Sequence, residues 1–91
     1  SRQVFGMFSG SETRVRLQFP RSLINNAVDK FGSSAMMIPQ RDGSVTLTAE
    51  VVLSPVFYSW VFSFSGRVKI LEPETVRQEY RDMCRKVLEE S

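Results

Sequence analysis

The chain of 91 residues predicts a single α+β domain built on a four-stranded antiparallel sheet, with helices on one face and an extra helix at the C-terminal end. Two patterns carry this reading. Residues 13–19 and 45–51 alternate apolar and polar side chains, the period of a half-buried strand. Between and after them, runs opening near Leu23 and Ser54 place apolar residues at helical spacing and stop at Gly32 and Gly66.

In the first strand Val15, Leu17 and Phe19 share one face, Arg14, Arg16 and Gln18 the other, and Pro20 closes the run. The first helix turns Leu23, Ile24, Ala27, Val28 and Phe31 inward. Ala35 to Pro39 is a short apolar second strand. The Asp42-Gly43 pair behind it favours a tight hairpin into the third. There Val45, Leu47, Ala49 and Val51 oppose Thr46, Thr48 and Glu50. Ser54 and Pro55 read as an N-cap with proline at the first helical position, so the second helix runs through Phe57, Trp60, Val61 and Phe64 to Gly66. Arg67 to Leu71 alternates as a fourth strand with Val68 and Ile70 inward. Glu72-Pro73-Glu74-Thr75 then opens a last helix striped by Val76, Tyr80, Met83, Val87 and Leu88. This order of elements is the ferredoxin-like βαββαβ split, with strand order 4-1-3-2 and one sheet face left open.

Composition narrows the function. Hydrophobic residues at 42% and charged residues at 24% are ordinary for a folded domain, and a formal charge of +2 is too small to argue for nucleic-acid binding by itself. The one cysteine, Cys84, has no internal disulfide partner, and no histidine exists to join it in a metal site or a nucleophilic pair. This fits a reducing, cytoplasmic setting. The most apolar run, Val56 to Phe64, falls far short of a membrane span. The five glycines lack phosphate-loop spacing. No enzyme activity and no cofactor are expected.

Two surfaces remain. The open sheet face would collect Arg14, Arg16, Gln18, Thr46, Thr48, Glu50, Arg67 and Lys69, four cations against one carboxylate, and could hold an anion through charge-assisted hydrogen bonds. It lacks the aromatic platform on which RNA-recognition domains stack bases. The aromatic helix would leave Tyr58, Trp60 and Phe62 as an apolar patch suited to a dimer or interdomain contact.

Three segments together resemble the C-terminal extension of WYL-domain bacterial transcription regulators. They are Val4 to Gly10 followed by Val15 to Pro20, then Asp42 to Val51, and then Trp60-Val61 with Phe64 to Glu74. The resemblance implies a longer chain with an upstream helix-turn-helix and WYL barrel, with residues 1–12 as the linker from that barrel and 13–91 as the extension domain. It further implies a homodimer, a response to an effector that in this family includes nucleic acid, and no membrane association. The resemblance transfers no effector-binding residue by motif; from the open sheet face and the aromatic helix, Arg14, Arg16, Thr48 and Lys69 are the expected ligand or nucleic-acid surface, and Tyr58, Trp60 and Phe62 the expected contact. The competing expectation is a small-molecule-sensing regulatory domain of the same ferredoxin-like plan.

Overall fold

A computed structural model describes residues 12–91. The elements are β1 (Glu12–Pro20), α1 (Ile24–Phe31), β2 (Met36–Pro39), β3 (Ser44–Val52), α2 (Pro55–Phe62), β4 (Lys69–Glu72) and α3 (Glu74–Glu90), with single 3₁₀ turns at either end of α1. The sheet order is β2-β3-β1-β4, and every neighbouring pair is antiparallel. The α+β class and the strand order are those the sequence predicts. Residues 1–11, which include the Val4 to Gly10 motif and most of the expected linker, lie outside the described residues.

β1 and β3 pair along their whole length, from Glu12 opposite Val52 to Pro20 opposite Ser44. Their alternation sends Val15, Leu17, Phe19, Val45 and Leu47 into the core, where Leu23 just before α1, Ala27 of α1 and Phe57, Tyr58 and Val61 of α2 cover them. Each large apolar side chain so buried contributes roughly 1.5–3 kcal/mol, so this one layer of contacts dominates the stability of the domain. The Ser54 hydroxyl accepts from the Phe57 N–H with Pro55 behind it, which starts α2 where the sequence places it. At the β2–β3 hairpin, Asp42 accepts from the Ser44 backbone N–H at 2.9 Å and from its hydroxyl at 2.6 Å. Those two bonds hold the Asp42 carboxyl below its usual pKa.

Four local features depart from the sequence reading. Val28 is 47% exposed, because the two-turn α1 presents a narrow inward face that Ala27 fills, with Ile24 and Phe31 at its margins. α2 stops at Phe62. Beyond it the Ser63 hydroxyl bonds back to the Trp60 carbonyl at 2.6 Å, and tight-turn bonds run from the Phe64, Ser65 and Arg67 N–H groups. This tail passes through the left-handed region at Ser65 (φ 55) and Gly66 (φ 89), where glycine carries little penalty. β4 therefore begins only at Lys69, and Arg67 sits in the turn. Finally, β4 pairs Ile70 with Leu17 but Glu72 with Arg16, so Leu71 is an extra residue in a β-bulge. The bulge returns Glu72 to the open face, where simple alternation would have pointed it inward.

α3 spans 17 residues, about 26 Å at 1.5 Å per residue. Its apolar stripe is gripped at one end only. Val76 is buried and Tyr80 partly so, whereas Leu88 is 78% exposed and Met83 and Val87 are also exposed.

Candidate functional site

The pleat of β1 puts Arg14 and Arg16 two residues apart on the open sheet face. Thr48 on β3 stands directly opposite Arg16, and Lys69 on β4 stands opposite Gln18. All four expected ligand residues therefore share one uncovered face. Their charges are largely matched there. The Arg14 Nε donates to a Glu50 carboxylate oxygen at 3.0 Å, and an Arg16 guanidinium N–H donates to Glu72 at 3.2 Å. The expected balance of four cations to one carboxylate is thus corrected. Arg67 leaves the face for the turn, while the bulge brings Glu72 to it and Glu12 shares the Arg14 side of β1. Exposed pairs of this kind are worth about 0–1 kcal/mol, so an incoming anion can displace either carboxylate at small cost.

The same face has an apolar margin that the sequence reading leaves unassigned. Met36 pairs with Thr48 and Ile38 with Thr46, and the two side chains are 62% and 51% exposed. The signal for it was the loop length. A hairpin in which Pro39 faces Val45 sets the parity of β2 and sends Met36 and Ile38 to the open side. Beside them Gln40 donates to the Thr46 hydroxyl at 3.2 Å, which satisfies a threonine buried on an otherwise open surface.

The three expected contact residues of α2 separate. Tyr58 does not belong to an exposed patch: it is 2% exposed and sits in the core. Its ring meets Phe57 edge-on at 5.3 Å and stacks on Tyr80 at 6.1 Å, and its hydroxyl donates to a Glu79 carboxylate oxygen at 2.7 Å. An α2 that is apolar nearly all round has room for α3 on a second side, and α3 is what covers Tyr58. Trp60 is half-buried, edge-on to Phe31 at 5.1 Å and to Phe64 at 4.9 Å, and so ties α2 to α1. Only Phe62 is openly exposed, at 57%.

Phe62 borders a groove of ≈ 290 Å³ between α2 and α3, lined also by Tyr58, Ser59, Tyr80, Met83 and Val87. The groove is apolar and its tyrosines hold their protons. Burial first, then the hydrogen bond to Glu79 and its charge, pushes the Tyr58 hydroxyl well above its ordinary pKa. Burial and then the Cys84 thiol push Tyr80 up to about 12. Neither is poised for acid or base work near neutrality. Among the described residues no group of three or more His, Cys, Asp or Glu is placed to hold a metal ion, and no helix is long and apolar enough to cross a membrane.

No curated protein matches the chain. The family model of the WCX domain matches residues 11–88, from the start of β1 almost to the end of α3. The chain therefore belongs to the WCX family, the C-terminal extension of WYL-domain regulators.

Proposed function

We propose that this domain is the regulatory and dimerisation module of a WYL-type DNA-binding transcription regulator and contributes to its response to an anionic effector such as nucleic acid. The observation that carries the reading is the uncovered apolar stripe of α3. Met83, Val87 and Leu88 continue past the core beside the exposed Phe62, an arrangement a free monomer usually avoids. A second copy of the domain covers this stripe, with Phe62 and the margin of Trp60 at the contact. The remaining partners are the WYL barrel and helix-turn-helix of the same chain, reached through residues 1–12. Such a regulator works in the cytoplasm, and no catalytic step is required of it.

Light scattering tests the dimer. The chain is expected to run as a dimer at micromolar concentration, and Phe62→Ser with Val87→Ser to weaken association at least about tenfold, since exposed apolar anchors dominate such contacts. A monomer at every concentration overturns it.

For the effector, the open face with Arg14, Arg16, Thr48 and Lys69 supplies the cations. Glu50→Gln with Glu72→Gln removes the competing carboxylates and is expected to tighten binding of short single-stranded DNA several-fold at low salt. Arg14→Ala with Arg16→Ala should weaken it. Titrations unchanged in both double variants would remove the sheet face from the reading.

The small-molecule alternative is favoured by one feature, the α2–α3 groove, whose volume approaches the lower end of ligand pockets. A metabolite seated there would raise the melting temperature of the chain without altering its DNA titration.

A further inference from the structure

We infer that the hollow beside the α2–β4 turn is a phosphate-binding subsite, with Arg67 and Lys69 as its cations. Of the cations expected on the open face, Arg14 and Arg16 each engage a carboxylate, whereas Arg67 and Lys69 form no ion pair with any described residue. Both line one hollow of ≈ 490 Å³ at the end of the sheet where β1 finishes and β3 begins. Val68 between them is 2% exposed and anchored in the core, and its two neighbours both line the hollow.

The surrounding donors fit the same ligand. Across the hollow, the Gln18 amide donates to the Ser44 hydroxyl at 3.3 Å, and Ser44 donates on to Asp42 at 2.6 Å. The carboxylate of Asp42, the one acidic group among the described residues at the rim, is held by both Ser44 donors, while the second N–H of the Gln18 amide has no partner among the described residues. In the turn, the Ser65 and Arg67 N–H groups are taken by carbonyls, but no backbone carbonyl of a described residue takes that of Gly66. A Cβ at Gly66 would meet nothing within 4 Å, so the backbone there is open to an approaching oxygen. Two cations without an ion pair among the described residues, with the Gly66 backbone and the Gln18 amide lining the same opening, match the several acceptor oxygens of a phosphate group. The inference rests on the proposed anionic effector and moves its anchor from Arg14 and Arg16 to the turn.

The test is an amide NMR titration of the uniformly labelled chain, first with inorganic phosphate and then with a short oligothymidylate. Shifts centred on Ser44, Gly66, Arg67 and Lys69 are expected, and Arg67→Gln with Lys69→Gln should weaken the titration about tenfold while leaving the rest of the spectrum unchanged. Tighter binding of the oligonucleotide assigns the subsite to a nucleic-acid backbone; tighter binding of inorganic phosphate assigns it to a phosphomonoester. Silence at these amides, or shifts that persist in the double variant, overturns the inference. If the hollow is silent but the oligonucleotide still moves the Arg14 and Arg16 amides, the subsite falls while the anionic-effector reading stands. A chain that is monomeric in light scattering bears on the dimer alone.

Discussion

Tyr58→Ala is expected to destabilise the monomeric domain by about 3–5 kcal/mol, whereas Phe62→Ala, four residues along the same helix, should change the stability of the monomer by less than about 0.5 kcal/mol. Both are aromatic, and their environments are opposite: Tyr58 is 2% exposed and Phe62 57%. Removing the Tyr58 ring empties the space between α2 and α3, ends its stacking on Tyr80 and leaves Glu79 without its hydroxyl donor. A domain of this size has a total stability of about 5–15 kcal/mol, so the loss is a large share of the whole. Urea denaturation of the two variants, at concentrations low enough for the chain to be monomeric, reads the difference directly. Tyr58→Phe separates the contributions, since it keeps the ring and loses only the hydrogen bond, at about 1 kcal/mol. Equal effects from Tyr58→Ala and Phe62→Ala would mean that α3 does not dock on α2 in solution.

Alkaline pH should unfold the domain through the same pair of rings. A tyrosine carries no charge while protonated, and both Tyr58 and Tyr80 keep the proton above the ordinary value of 10.0 in the folded chain, Tyr80 up to about 12. The unfolded chain begins to lose those protons near pH 10. Between pH 10 and 12 the folded state therefore binds more protons than the unfolded one, and stability falls as pH rises. The slope from each group is at most about 1.4 kcal/mol per pH unit, with the deeper Tyr58 contributing the larger share. Below pH 10 these two groups add no pH dependence. Melting temperatures across this range, with phenolate absorbance followed in parallel, should show a steep fall that Tyr58→Phe makes shallower. A melting temperature that stays level up to pH 12 would contradict it.

Much of the fold was legible because its signals are local. Alternation in β1 and β3 fixes which side chains face inward, and the Ser54-Pro55 start of α2 needs only residues adjacent in the chain. The grouping of Arg14, Arg16, Thr48 and Lys69 on one face followed from the same period of two. What escaped depends on contacts distant in sequence. The extra residue at Leu71 exists only in relation to β1, so the pairing of Arg16 with Glu72 had no local mark. In α2 nearly every position is apolar, which erases the asymmetry that would choose between Tyr58 and Phe62. The choice is made by Tyr80 and Glu79, more than 20 residues away along the chain. The end of α2 was misplaced because Gly66 is the stronger stop signal, while Ser63 terminates the helix earlier with its own hydroxyl.

The one-ended grip on α3 makes that helix a lever. Its fulcrum is Val76 and Tyr80, braced by the Tyr58–Glu79 bond, and its free arm reaches Leu88. Twelve residues of helix span about 18 Å, so a tilt of about 10° at Val76 displaces Leu88 by about 3 Å, more than half the pitch of a helical turn. A body resting on Val87 and Leu88 would thus act on the helix about 18 Å from its buried end at Val76.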